Sequence, residues 1–324
     1  MIRVRILGGI VAACGLALVV TAFSTHLFPA APAIEELTDD FRASFSDEAI
    51  ATTRADLTAL DDAGAALRED APAVLGPALG VEPGDVPAAL ASQYPDVAAG
   101  LVAIPDVVTN FSALTDLLEA NQDNFMKADA VPTESLPANV VPWQVLLSGI
   151  VLLLLGGWLW LRPVVLPALL GVGFTLVLLL ATVALSLPDK ASATNDLTAN
   201  TADVFTPAQA ESAQMAVSTL GAMAQQLNEE LIPDLAAATG TTPEEVATML
   251  ASQLPAVGTA LAGLDEALER FQMFADGLEA NVQNYTKAAR PDLAAVVQLE
   301  IWLAVVALIA SGASAVVIRS ARRE

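Results

Sequence analysis

The sequence predicts an all-α fold: a four-span helical membrane protein with two homologous extracytoplasmic helical-bundle domains, arranged as a tandem internal repeat at a fixed offset that sets Phe45 on Phe205. Three observations carry that expectation. Four runs contain no Asp, Glu, Lys, Arg or His, and each approaches or exceeds the roughly 20 apolar residues that cross a bilayer core. Phe45 to Ala128 aligns on Phe205 to Ala288 without a gap, with 25 identities in 84 positions. Charge sorts onto the segments between the runs, with basic residues on one side and acidic residues on the other.

Span one covers 6–23, behind Arg3 and Arg5. Its length exceeds the h-region of a signal peptide, although Ala31-Pro32-Ala33 has the form of a cleavage site. Val11-Ala12-Ala13-Cys14 has the form of a lipobox, but the apolar run continues past Cys14, so this single cysteine is expected to pack inside a span. Residues 24–140 make extracytoplasmic domain one. Spans two (143–161) and three (164–187) form a hairpin whose joint holds Arg162 and Pro163. Residues 188–300 make domain two, and span four covers 301–318. Small residues in the spans (Gly8, Gly9, Ala12, Ala13, Gly171, Gly173, Ala310, Ser311, Ser314, Ala315) favour close helix packing, within the chain or between copies.

Inside each domain the pattern is helical. Leu101, Ile104, Val108, Phe111, Leu118 and Phe125 share a stripe, answered at the repeat offset by Leu261, Leu264, Leu268, Phe271, Leu278 and Tyr285, which gives one long helix per copy. An earlier helix covers about 46–70 and 206–231. Gly80 and Gly240 end the stretch that follows. Thr242-Pro243-Glu244-Glu245 reads as an N-cap, a proline at N1 and first-turn acids. A short helix then runs to Gln93 or Gln253, and Pro95 and Pro255 restart the long one. Pro132, Pro137 and Pro142 make an extended connector before span two; copy two has only Pro291 there.

Arg3, Arg5, Arg162, Arg319, Arg322 and Arg323 lie at span ends on one face, whereas segment 24–140 holds 20 acids and 4 bases and segment 188–300 holds 16 and 4. Cationic short loops stay inside, so the expected location is the plasma membrane, multi-pass, with both termini cytoplasmic and both large domains outside. Trp143 and Trp302 at the outer ends, and Trp158 and Trp160 near the inner end, suit interfacial belts. The acidic domains argue against nucleic acid as a partner. Three lysines against eleven arginines suggest a bacterial source.

No catalytic motif is present: His26 is the single histidine and has no ligand-spaced partner, and no HExxH, CxxC, GxSxG or phosphate loop occurs. The expectation is therefore no enzyme, no cofactor and no metal. The polar positions kept in both copies are Gln93, Glu119, Asn121, Asn124 and Lys127, with Gln253, Glu279, Asn281, Asn284 and Lys287. They read as a partner-binding patch or as hydrogen bonds that pin neighbouring segments, and Asn121 falls on the apolar stripe, where a buried amide needs partners. The expected function is a scaffold or accessory subunit in the bilayer that binds an envelope protein or a second copy of itself. Rival readings are a sensor-like input module that signals through a partner's spans, and a transporter or lipid-handling protein. An apolar pocket of roughly 300 Å3 or more at membrane depth or between the domains would favour the last.

Overall fold

The computed structural model describes residues 2–131 and 137–322. Among these every regular element is a helix. In chain order they are α1 (Ile2–Ser24), α2 (Leu27–Phe41), α3 (Asp47–Glu69), α4 (Ala71–Leu79), α5 (Val86–Gln93), α6 (Pro95–Asp129), α7 (Val140–Leu161), α8 (Val165–Ala184), α9 (Leu187–Asn200), α10 (Pro207–Gln226), α11 (Ile232–Thr239), α12 (Pro243–Gln253), α13 (Pro255–Ala288) and α14 (Leu293–Ala321). A single 3-10 turn covers Pro83–Asp85, and a π-helical turn over Leu227–Leu231 joins α10 to α11.

Local chemistry sets the boundaries. Ser46 and Thr206 cap α3 and α10, each side chain accepting a backbone N–H three residues on. Thr242 and Glu245 close a reciprocal capping box on α12. Gly80 and Gly240 end α4 and α11 in the left-handed region, both at φ +69°. His26 and Ser186, which answer each other in the repeat, adopt the same left-handed conformation between α1 and α2 and between α8 and α9, the two non-glycine residues recorded there. The sequence reading contained neither α2 nor α9: Pro29 and Pro32 disguise the first, and the second is rich in Thr, Asn and Asp. Part of the expected connector, 132–136, lies outside the described residues, and Pro142 belongs to the first turn of α7.

Five helical stretches are long and apolar enough to cross a membrane, which is consistent with a membrane protein: α1, α6, α7, α8 and a stretch within Pro255–Ala321. The sequence reading counted four. The additional one is α6, whose apolar side chains Val97, Leu101, Ile104, Val107 and Phe111 are buried against protein.

Contacts divide the chain into two units, Met1–Arg42 with Asn121–Ala202 and Gln283–Glu324, and Ala43–Ala120 with Asp203–Val282. Each unit takes segments from both copies, whereas the sequence reading drew one domain per copy. Periodicity marks the face a helix buries; it does not say which helix covers that face.

In the first unit α1 packs on α7 and α14, and α14 also packs on α8 and α9. The α1–α7 crossing is close because glycines recur at heptad spacing on both helices, Gly8 and Gly15 facing Gly156 and Gly149. A methyl group added at Gly8 would stand 2.8 Å from the Trp160 amide nitrogen. One at Gly149 would stand 2.8 Å from the Gly15 carbonyl oxygen. Of the small residues named from sequence, Gly8 and Gly171 make such approaches, while Gly9 and Gly173 face open space. In the second unit α3, α6, α10 and α13 bury a core drawn from both copies, with Phe111 and Phe271, equivalent positions of the repeat, in ring contact at 5.0 Å.

Candidate functional site

The second unit is strongly acidic, and Arg54, Arg68 and Arg270 are its basic residues. Each is engaged. Arg54 reaches Asp116 at 2.7 Å and Glu119 at 2.5 Å on the exposed face of α6. Arg68 donates to the Leu101 carbonyl. Arg270 forms a two-pronged pair with Asp56, Nε to Oδ2 at 2.8 Å and an Nη to Oδ1 at 2.9 Å, and Glu266 lies 3.8 Å away. The carboxylate of Asp56 raises the pKa of Arg270 and fixes its charge.

Beside that pair lies a cavity of about 260 Å3. One wall is α3 (Ala55, Ala59, Leu60), the opposite wall α13 (Ala260, Gly263, Ala267), and Leu220 and Phe271 lie deeper. The lining is apolar except for Asp56 and Thr259, and the Thr259 hydroxyl is spent on the Pro255 carbonyl. Helical spacing explains the walls: residues three, four and seven apart present one face, which carries Ala55 and Ala59 on α3 and Ala260, Gly263 and Ala267 on α13, flanked by Leu60, Leu264 and Leu268.

A polar clamp within the same unit holds the start of α6. Gln226 on α10 accepts the backbone N–H groups of Asp96 (2.8 Å) and Val97 (3.1 Å), which the helix itself cannot satisfy. The buried Tyr94 hydroxyl donates to Asp234 at 2.8 Å. Desolvation, then this hydrogen bond to a carboxylate, pushes the Tyr94 pKa up to about 12. Copy two has no such device, since Leu254 and Ala66 stand where Tyr94 and Gln226 are answered.

The ten polar positions kept in both copies keep their exposure pair by pair. Gln93 and Gln253, Glu119 and Glu279, and Lys127 and Lys287 are exposed; Asn124 and Asn284 are half-buried; Asn121 and Asn281 are buried. Asn121 accepts from Asn200 at 2.8 Å, which ties α6 to the end of α9, and Asn281 donates to the Gly277 carbonyl one turn earlier. Glu119 holds Arg54, whereas Glu279 meets Gln214 at 3.5 Å. The described contacts do not gather the ten side chains into one cluster.

Sequence reasoning missed Glu300. Span four was drawn from 301, but α14 runs unbroken from Leu293, and Glu300 lies within it, 2% exposed. It lines a cavity of about 30 Å3, enough for one water molecule, together with Gln144, Lys190 and apolar side chains. Glu300 Oε1 and Gln144 Nε2 are buried without a hydrogen-bond partner. The helix boundary was the missing signal: α14 starts about two turns before the expected span, which turns a flanking acid into an internal one. Among the described residues no group of His, Cys, Asp and Glu has the arrangement of a metal site.

Comparison with known protein families, with curated proteins and with solved structures finds no match.

Proposed function

We propose that this chain is a non-enzymatic, four-span protein of the plasma membrane that serves as a scaffold or accessory subunit, with its acidic helices outside and both termini inside. One observation supports the reading above the others. Only 25 of 84 aligned positions agree between the copies, yet Gln93, Lys127, Gln253 and Lys287 are among them and are exposed. Exposed polar side chains have no core to fill, so agreement there favours recognition of a partner over packing. The transport reading has less support: the cavities described in the first unit hold about 20 and 30 Å3, far below the roughly 300 Å3 of a small-molecule site.

Photocrosslinkers placed at Gln93 and Gln253 in intact membranes test this. Reproducible capture of one envelope protein, lost when Lys127 and Lys287 are both changed to Glu, is the expected result. Crosslinks only between copies of this chain would replace the envelope partner with a homo-oligomer, and no reproducible crosslink overturns the scaffold reading. Protease added to whole cells should cut within 43–120 and 203–282; cleavage only in inverted vesicles overturns the orientation.

A further inference from the structure

The two copies meet twice in the second unit, through seams that the repeat makes formally equivalent: α10 on α6, and α3 on α13. The first seam is filled. Met223, buried on α10, lies against Gly100, where an added methyl group would collide with its sulfur, and Val107 is buried in the same core. The second seam is the hollow one. Ala63, Ala260 and Ala267 stand at the positions answering Met223, Gly100 and Val107, and Ala55, Ala59 and Gly263 answer Met215, Thr219 and Ala103. Ala59, Gly263 and Ala267, which line the 260 Å3 cavity, are smaller than their counterparts Thr219, Ala103 and Val107, whereas Leu60, Leu264 and Phe271 are matched by Leu220, Ile104 and Phe111.

The hollow seam has also acquired a charge that its counterpart lacks. Asp56 and Arg270 answer Ala216 and Asn110, so the ion pair at the edge of the cavity belongs to this seam alone. Random loss of bulk in a core would be expected to leave dry apolar space. Loss of bulk on both walls together with a polar pair on the rim is the composition of a small-molecule site. An apolar cavity of about 150 Å3 accepts benzene, so 260 Å3 takes a body of roughly ten carbon atoms.

The rim selects the head group. Arg270 is already held by both oxygens of Asp56, and Glu266 adds a second negative charge beside it. A carboxylate or phosphate would have to displace Asp56 in a unit whose basic residues are three arginines. An amine or alcohol would instead donate to the lone pairs of Asp56 that Arg270 leaves open, since an ionised carboxylate accepts about four hydrogen bonds. We propose that the α3–α13 seam is a binding site for a small amphiphile with an apolar body of about ten carbons and a hydrogen-bond-donating, preferentially cationic head on Asp56. The site stands apart from the scaffold reading and from its crosslinking test.

The full chain in phosphatidylcholine nanodiscs, titrated calorimetrically with 4-phenylbutylamine against empty discs, tests the site. Saturable binding of one amine per chain is expected, with 4-phenylbutyrate at least about tenfold weaker. Ala59→Leu combined with Ala267→Leu should abolish the binding and raise the Tm of the ligand-free protein. Should that pair fail to fold, Ala267→Val, which installs the residue of the filled seam, should still weaken binding several-fold. Asp56→Asn should erase the preference for amine over carboxylate. No saturable binding above empty discs, equal affinity for the two heads, or affinity unchanged by Ala267→Val and by the double variant each overturns the proposal.

Discussion

The helices α7 and α14 occupy the same place in the two copies, yet they bury opposite faces. On α7 the buried line runs through Val145, Gly149, Leu152, Gly156 and Leu159, and Leu154 is 66% exposed. On α14 it runs through Ala304, Ala307, Ser311, Ser314 and Ile318, while Ile309 and Val316, which answer Gly149 and Gly156, are 66% and 69% exposed. The two lines are two residues out of step, which at 3.6 residues per turn is about 200° of rotation. What differs is the neighbours. The α7 helix packs chiefly along α1, with glycine on both sides, and more lightly on α8 and α2, whereas α14 divides its contacts among α8, α1 and α9 and turns its small residues toward them. A duplicated sequence therefore does not dictate a duplicated packing; the small residues go where backbones approach most closely.

The hardest test of this contrast is Gly156→Leu against Val316→Leu. At Gly156 an added side chain meets the backbone of Ala12, which cannot yield as a rotamer would. Overpacking of that kind costs about 3 kcal/mol or more, so the variant should fail to accumulate as folded protein in membranes. Val316→Leu, at the formally equivalent position, should express like the parent. Equal loss in both would mean that the two helices bury the same face.

Serine gives the reverse experiment. Ser314 is fully buried and returns its hydroxyl to the Ala310 carbonyl at 2.8 Å. Ser314→Leu should lower the Tm markedly, with a cost of roughly 2 kcal/mol from overpacking. Leu154→Ala, at its counterpart, should change stability by no more than about 0.5 kcal/mol. Differential scanning fluorimetry of these two purified variants beside the parent ranks the effects directly.

Much of this architecture is legible in the residues, and the rest fails for identifiable reasons. The long helices, their start at Pro95 and Pro255, the stops at Gly80 and Gly240 and the cap at Thr242 are local matters of backbone chemistry, and the structure places them as read. Gly15, Gly149 and Gly156 escaped notice because a small residue shows its purpose only when the facing helix is known. The hollow seam escaped for the same reason: Ala59 and Ala267 are ordinary in a helix and become a cavity only across from each other. Tyr94 and Gln226 depend on partners far along the chain, beyond the reach of any periodicity.

That clamp offers the next comparison, since copy two lacks it. Gln226→Ala leaves the first N–H groups of α6 without their acceptor, a loss of about 1 to 2 kcal/mol by analogy with N-cap removal. Ala66→Gln, its mirror, should return nothing, because Leu254 provides no second anchor beside the start of α13. Urea titration of both variants would separate them, and a stabilising Ala66→Gln would show that the two helix starts are equivalent after all.

The smallest effect is confined to alkaline pH. The Tyr94 hydroxyl ionises near 10 when exposed and near 12 in the fold, so the folded chain holds this proton more tightly than the unfolded one. The stabilisation is complete below pH 10 and is lost as pH rises toward 12, because the unfolded chain releases the proton first. Tyr94→Phe should lower stability slightly at neutral pH through loss of the bond to Asp234, and should flatten the decline between pH 10 and 12 relative to the parent. A parent and variant that fall in parallel over that interval would mean that Tyr94 ionises as freely in the fold as in the unfolded chain.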